Sequence, residues 1–288
     1  MEVWTHDDAN GFRALAGPLY AREPILHTVE LTALASGVAD DALLLTVHDG
    51  GDVLGAAMQT PPYPLLVSGL PIESLYSAVE FVAAVRPGLS GIRGLRDRAQ
   101  RFAAGWQSRV GAQSRVNTEE LLYRLAALTP PVGVPGTHRL ATEADHPLLA
   151  LRVEDFFVEA FRDHRDEAAG LRFVEDAVAV GHRFVLWTVG DEPVSMAMLR
   201  APASGVSRIG PVHTPAAARG RGFGSAVTAA AAQLALDEGV SEVVLFADLA
   251  NPVSNAIYRR IGFEPVSESV RIDFVSARAA GASSTSPR

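Results

Sequence analysis

The chain has 288 residues, of which 48% are hydrophobic and 20% charged, a composition typical of a globular protein rather than a disordered or fibrous one. Its formal net charge of -8 disfavours duplex DNA and anionic membranes as partners, because both reward basic surfaces. The absence of cysteine and lysine excludes disulfides, cysteine nucleophiles and thiolate metal sites, as well as a Walker P-loop and a Schiff base.

The N-terminal residues carry acids and lack the basic-then-apolar order of a secretory signal. The longest apolar stretch, residues 229–236, is too short to span a bilayer. We therefore expect a cytoplasmic protein with no membrane partner.

Two segments of the chain read alike. Residues 45–61 and 186–202, which lie 141 positions apart, each contain an apolar run, a short Gly/Asp turn and a second apolar run that leads into proline. This pattern predicts a β-hairpin in each segment. Two similar hairpins can arise by chance, but the period is close to half the chain and favours an internal duplication.

The rest of the N-terminal half predicts a short strand at residues 65–70, a helix at 73–85, a glycine-rich piece at 88–94 and an amphipathic helix at 96–110. Residues 129–136 are rich in proline and glycine and are interpreted as a linker. We predict domains at residues 1–130 and 137–276, a linker at 131–136, and a disordered tail at 277–288 that lacks apolar periodicity.

The C-terminal half predicts both helices and strands. Helices are expected at residues 145–150, 153–161, 167–180, up to about 238, and 252–261; strands are expected at the hairpin, near 208–214, at 242–247 and around 266–274. Hairpin and crossover connections together indicate an α/β (α+β) fold with a mixed sheet.

A glycine-rich turn at residues 219–225, Arg-Gly-Arg-Gly-Phe-Gly-Ser, lies between a predicted strand and a helix. Its glycines let the backbone approach a ligand, and the free N–H groups of the following helix attract anions. Arg219 and Arg221 add donors that suit phosphate. A Rossmann fingerprint requires a third glycine where this chain has Val227, so it fails on spacing. A packing role for the glycines remains a simpler alternative.

A second motif, residues 251–263, predicts a helix with Asn251 as its N-cap, Pro252 at its first position and Gly262 at its end. Ser254 and Tyr258 are four residues apart and share a stripe of that helix, so both can face a cleft. The alternative is a tyrosine that belongs only to the core.

Together, Arg-x-x-Gly-x-Gly at residues 219–224 and Asn-Pro-x-Ser-Asn-x-x-Tyr-x-x-x-Gly-Phe at residues 251–263 resemble the coenzyme-binding core of the GNAT superfamily of N-acetyltransferases. The resemblance covers about residues 209–263 and extends by strand pattern over 138–275. It implies a mixed, mostly antiparallel, splayed sheet flanked by helices. The N-terminal half lacks both motifs, so the resemblance is to a tandem form whose first GNAT-like domain is degenerate and binds no coenzyme.

The resemblance also implies acetyl-CoA as cosubstrate and a role for each matching residue. Backbone amides of the turn would bind the pyrophosphate, main-chain groups of the preceding strand would pair with the pantetheine arm, and two polar residues of the later helix would touch the coenzyme further along. The implied coenzyme-binding residues are Val212, His213, Thr214, Arg219, Gly220, Arg221, Gly222, Phe223, Gly224, Ser225, Asn251 and Ser254. Tyr258 would be the acid that protonates the departing thiolate.

The implied reaction is acetyl transfer to a primary amine of a small molecule or peptide by direct attack in a ternary complex. The general base stays open among His213, Glu154, Asp155, Glu159 and water. Histidine spacing gives no indication of a metal site. Alternatives are an acyl-CoA-binding regulatory protein with weak catalysis and a dinucleotide-dependent oxidoreductase; the amine and the oligomeric state are not predicted.

Overall fold

The computed structural model describes residues 1–161 and 166–275; the tail predicted at 277–288 lies outside them. The N-terminal elements are β1 (Glu2–Thr5), α1 (Ala9–Tyr20), α2 (Thr28–Ser36), β2 (Leu43–Asp49), β3 (Asp52–Gln59), β4 (Leu65–Leu66), α3 (Leu75–Val85), β5 (Gly91–Leu95), α4 (Arg96–Val110) and β6 (Gln113–Leu125). The C-terminal elements are β7 (Thr137–Leu140), α5 (His146–Phe161), α6 (Glu167–Ala179), β8 (Arg183–Val189), β9 (Glu192–Leu199), β10 (Val206–His213), α7 (Phe223–Asp237), β11 (Glu242–Asp248), α8 (Pro252–Arg260) and β12 (Phe263–Val275). The two series follow one order of strands and helices, as expected for two tandem copies.

The hairpins β2–β3 and β8–β9 carry the clearest trace of this repetition. Each hairpin has a two-residue turn, and in each the pairing of the two strands changes register close to that turn. The pairs next to the register change are Val47 with Gly55 in the first hairpin and Trp187 with Ser195 in the second. These equivalent pairs lie 140 positions apart. The two hairpins therefore match in structure at a period one residue shorter than the 141 of the sequence similarity.

Compact units divide the chain differently from the predicted domains. One unit contains Met1–Glu120 and the segment from Ser267 onward, and the other contains Leu121–Val266. Within the first unit the strand order is β1-β2-β3-β4-β5 followed by residues 267–275 of β12, and within the second it is residues 121–125 of β6 followed by β11-β10-β9-β8-β7. Each sheet is thus completed by the last strand of the other half of the sequence. The predicted boundaries at 130 and 137 did not anticipate this exchange, which no local pattern signals.

The sheets are mixed and mostly antiparallel, as predicted. In the first unit β4 runs parallel to β5, and in the second β10 runs parallel to β11. β10 and β11 are paired from Val206 opposite Glu242 to Ile209 opposite Leu245, whereas further along β10 only β9 is paired with Val212 and His213. The second sheet therefore splays open at the C-terminal end of β10.

Helices cover both faces of the second sheet. One core cluster joins β8–β11 to α7 and α8 through residues such as Ala197, Val227 and Tyr258. Another joins the opposite face to α5 and α6 through residues such as Val153 and Met196. Because side chains alternate along a strand, Val212, opposite Ala197, lies on the α7 face, and His213, opposite Met196, lies on the α5 face.

The segment interpreted as a linker belongs to the second unit and packs against β8 and β9. Trp187 donates its indole N–H to the carbonyl oxygen of Pro135 at 2.9 Å, and Val134 joins a small apolar cluster with Val194 and Phe223. A side chain on Gly136 would overlap the carbonyl oxygen of Thr188. The proline and glycine residues of this segment thus allow its backbone to pack closely against β8 and β9. Within the described residues, no helix has both the length and the apolarity to cross a membrane.

Candidate active site

The glycine-rich turn follows the splayed end of β10 and leads directly into α7. Gly220 and Gly222 have φ angles of +76° and +82°, which L-residues avoid, and Gly222 is the N-cap of α7. A side chain on Gly224 would lie 3.4 Å from the Thr214 hydroxyl oxygen, so the turn lies close against the end of β10. The turn from Arg219 to Gly222 is exposed.

Backbone N–H groups of this turn are available to a ligand. The amide of Ala226 donates to the carbonyl oxygen of Gly222, but no described residue accepts from the amides of residues 220–225. The N-cap has no side chain to satisfy the first turn of α7. With the partial positive charge of a 15-residue helix, these amides form a seat for an anion.

The two arginines of the turn differ in their partners. Arg219 donates from Nη2 to both carboxylate oxygens of Glu159, at 2.8 and 2.6 Å, and from Nε to the carbonyl oxygen of Thr214 at 2.8 Å. The guanidinium of Arg221 lies over the Phe223 ring, 4.8 Å from its centroid. The arginine side chain predicted as a phosphate donor at position 219 is therefore engaged with Glu159 of α5 and with Thr214, the residue after β10, in this structure.

The sequence motif at residues 251–263 forms the helix that was predicted. Asn251 caps α8 by accepting from the amide of Ser254 at 3.0 Å, and Pro252 is its first residue. Gly262 follows the end of the helix at φ +102°, where a side chain would overlap the carbonyl oxygen of Ala127. Ser254 is half-buried and Asn251 is exposed.

Tyr258 lies on the same face of the sheet as α7. It is 8% exposed and packs edge-on against Tyr123 and Phe263, at centroid distances of 6.2 and 6.3 Å. Burial, with a smaller effect from Tyr123, raises the pKa of Tyr258 to about 12. The phenol therefore stays protonated at neutral pH, so in a proton transfer it can serve as the acid but not as the base.

Asn255 is a residue of this region to which the sequence analysis gave no role. Its side-chain amide donates to the carbonyl oxygens of Asp248 and Asn251 at 2.8 and 2.7 Å, and its side-chain oxygen accepts from Tyr123 at 2.8 Å. Asn255 thus ties the end of β11 to the start of α8 and orients the ring beside Tyr258. In the sequence, the only indication of its importance was that Asn255 is one of the specified residues of the motif at 251–263.

The structure gives the candidates for the general base different surroundings. Glu154 is buried and accepts from the amide of Asp166 at 2.7 Å, so it supports the start of α6. His213 is 4% exposed, and its Nε2 lies 3.8 Å from Oε1 of the half-exposed Glu159. Burial lowers the pKa of His213, while Glu159 and Asp155 act to raise it.

The first unit lacks an equivalent of the glycine-rich turn. The segment between β4 and α3 has one glycine, Gly69, where a side chain would overlap the Tyr20 ring and the carbonyl oxygen of Ala56. Helix α4 of the first unit corresponds in the order of elements to α8 of the second, but it buries Phe102 and Trp106 and has no tyrosine. In the part of the chain that the structure describes, no three His, Asp or Glu side chains are grouped as metal ligands.

Comparisons with known proteins agree with this fold. The model of the "Acetyltransferase (GNAT) family" matches residues 147–263, which include the turn and α8. No curated protein sequence matches the chain.

Solved structures resemble the chain along almost its whole length. A GNAT-family acetyltransferase from Colwellia psychrerythraea is 11% identical, with a TM-score of 0.61 over 95% of this chain and 99% of its own. A tandem GNAT protein from the clavulanic acid biosynthesis pathway is 13% identical, with a TM-score of 0.59 over 96% and 98%. A GCN5-related N-acetyltransferase from Kribbella flavida is 17% identical, with a TM-score of 0.59 over 90% and 97%. The chain is thus a tandem GNAT-fold protein that carries, at residues 147–263, a domain of the acetyltransferase (GNAT) family.

Proposed function

We propose that the second unit moves an acetyl group from acetyl-CoA to a primary amine, in the cytoplasm. One observation carries the proposal. The amides of residues 220–225 have no acceptor among the described residues, and they lie at the start of α7 beside the strand end where β10 and β11 part.

These features suit the coenzyme. Free amides and a helix N-terminus suit a pyrophosphate, and the small residues of the turn leave the backbone exposed to it. Val212, His213 and Thr214, which have no β11 partner, would hold the pantetheine arm and orient the acyl carbonyl. Ser254 and Asn251 would contact the coenzyme at the start of α8. Acetyl-CoA supplies an activated acyl group and a thiolate leaving group.

Tyr258 would donate the proton that the leaving sulfur requires. Its burial on the α7 face supports this role, because the phenol stays neutral across the physiological range. Asn255 and Tyr123 act behind it as positioning residues, since they hold one edge of the ring. The first unit, with Gly69 packed against Tyr20, would bind no coenzyme.

The proposal is tested by calorimetric titration with coenzyme A and by release of free thiol from acetyl-CoA with a panel of primary amines. Tyr258→Phe should lower kcat by roughly 100-fold, as expected for the loss of a general acid, and leave the Kd for coenzyme A unchanged. Tyr76→Phe, which removes the hydroxyl of a tyrosine 75% exposed in the first unit, is the matched control.

The outcomes separate the alternatives. Binding of coenzyme A without turnover for any amine would favour an acyl-CoA-binding regulatory protein. Absence of coenzyme A binding would refute the proposed function. Full turnover by Tyr258→Phe would refute only the role of the phenol.

A further inference from the structure

His213 is a buried polar residue whose hydrogen bonds do not explain its burial. Its side chain is 4% exposed, and neither ring nitrogen has a hydrogen-bond partner among the described residues. A buried imidazole normally has a hydrogen-bond partner for at least one ring nitrogen, because a buried polar atom without a partner destabilises the fold. Such an unsatisfied group in a native fold requires an explanation, and a role in proton transfer is one.

The position of His213 matches that explanation. It is the last residue of β10, in the part of the strand that β11 no longer pairs, and its carbonyl oxygen already accepts from Ser195 at 3.2 Å. Its ring lies on the α5 face, whereas Tyr258 lies on the α7 face. Where two strands separate, a ligand between them can be reached from both faces. The imidazole and the phenol can therefore act on opposite sides of one reacting group.

Glu159 and Arg219 connect the buried ring to the surface. Glu159 is half exposed, lies 3.8 Å from His213 and is held by both of its oxygens to Arg219. Arg219 also donates to the carbonyl oxygen of Thr214, the residue after His213. This arrangement fixes a carboxylate beside the imidazole, where it stabilises an imidazolium once a proton arrives.

The geometry points to His213 as the general base of the proposed acetyl transfer, with Glu159 and Arg219 as positioning residues; this inference rests on the proposed function. As the N–C bond forms and the C–S bond breaks, one N–H proton of the amine passes to a ring nitrogen of His213. Tyr258 gives its phenolic proton to the sulfur. The imidazolium then loses its proton to solvent by way of Glu159, and the tyrosinate regains one from solvent.

The charges around His213 give the inference a distinctive signature. The groups that act on it are Glu159, Asp155 and Arg152 of α5 and Arg219 of the turn. Burial lowers the pKa of His213, so the free base is present at neutral pH and is lost only when the pH falls below that lowered value. The carboxylates raise this pKa and the arginines lower it.

The test is the pH profile of kcat/KM for acetyl transfer, with coenzyme A affinity and thermal stability measured on each variant. His213→Gln should lower kcat by roughly 100-fold while the Kd for coenzyme A stays unchanged. Glu159→Gln should move the acidic limb of the profile to lower pH, and Arg152→Gln should move it to higher pH. A merely structural role would not shift the limb in opposite directions.

A folded His213→Gln variant that keeps wild-type kcat would overturn the assignment. If that variant does not fold, the acidic limb of the pH profile of kcat/KM provides the test. The assignment is overturned if Glu159→Gln and Arg152→Gln leave this limb in place, or if both move it in the same direction. A wild-type protein that binds coenzyme A but acetylates no amine would reject the proposed function itself, and this inference with it.

Discussion

Gly222→Ala is the most direct perturbation of the glycine-rich turn, because two separate costs can be calculated from its surroundings. The residue has φ +82°, a conformation that costs an L-residue roughly 1–2 kcal/mol. A Cβ there would also lie 2.9 Å from a methyl carbon of Val134, and such overpacking costs roughly 1–3 kcal/mol. We expect the second unit to lose roughly 2–5 kcal/mol in its free energy of unfolding.

Gly220→Ala is the matched control. Gly220 has φ +76°, but nothing lies within 4 Å of a Cβ placed on it, so only the conformational cost applies. The double variant Gly222→Ala, Val134→Ala removes the overlap and should bring the loss close to that of the control, apart from the packing that Val134 itself provides. A double-mutant cycle from urea unfolding isolates this coupling between Gly222 and Val134.

Coenzyme A titration of the same variants reports on function. A turn that shifts to relieve the overlap moves its amides, and each 1.4 kcal/mol of lost interaction raises the Kd about tenfold. The reasoning is refuted if Gly222→Ala is no more destabilising than Gly220→Ala, or if the cycle shows no coupling to Val134.

Three further substitutions test other parts of the fold. Gly262→Ala, at φ +102° with a Cβ 1.8 Å from the carbonyl oxygen of Ala127, should cost roughly 4 kcal/mol or prevent folding of the second unit, which circular dichroism would detect; a stable variant would contradict the close packing. Asn255→Ala should destabilise by roughly 3 kcal/mol in urea, more than Tyr123→Phe, because it removes three hydrogen bonds instead of one; equal losses would refute the role given to Asn255. Ile272→Ala, on the part of β12 that completes the first unit, should cost roughly 2–5 kcal/mol and speed hydrogen exchange in β5 while leaving the Kd for coenzyme A unchanged; faster exchange confined to β11 would contradict the assignment of that segment.

Local chemistry in the sequence was enough to predict the parts of the fold whose conformation depends on neighbours along the chain. Glycines and apolar runs predicted both hairpins, and helical periodicity predicted α4 over residues 96–110. Asn251, Pro252 and Gly262 predicted both ends of α8, because capping requires only adjacent residues. Where patterns were short or mixed, elements were missed: the elements not predicted are α1, α2, β1, β5, β6 and β7. His146–Phe161 forms one helix, where two were expected.

What depends on distant partners was decided only by the tertiary structure. No property of β6 or β12 indicates that each completes the sheet formed by the other half of the sequence, since strand pairing is set by contacts far apart in sequence. Residues 129–136 were interpreted as a linker because proline and glycine disfavour helices and β-sheet pairing. They do so whether the segment is exposed or packed against the fold, so composition cannot distinguish the two cases. Likewise, Arg219 has the charge for a phosphate, but its contact with Glu159 follows from where α5 packs. A sequence records which groups a residue can offer, whereas the folded chain determines which partner is near enough to accept them.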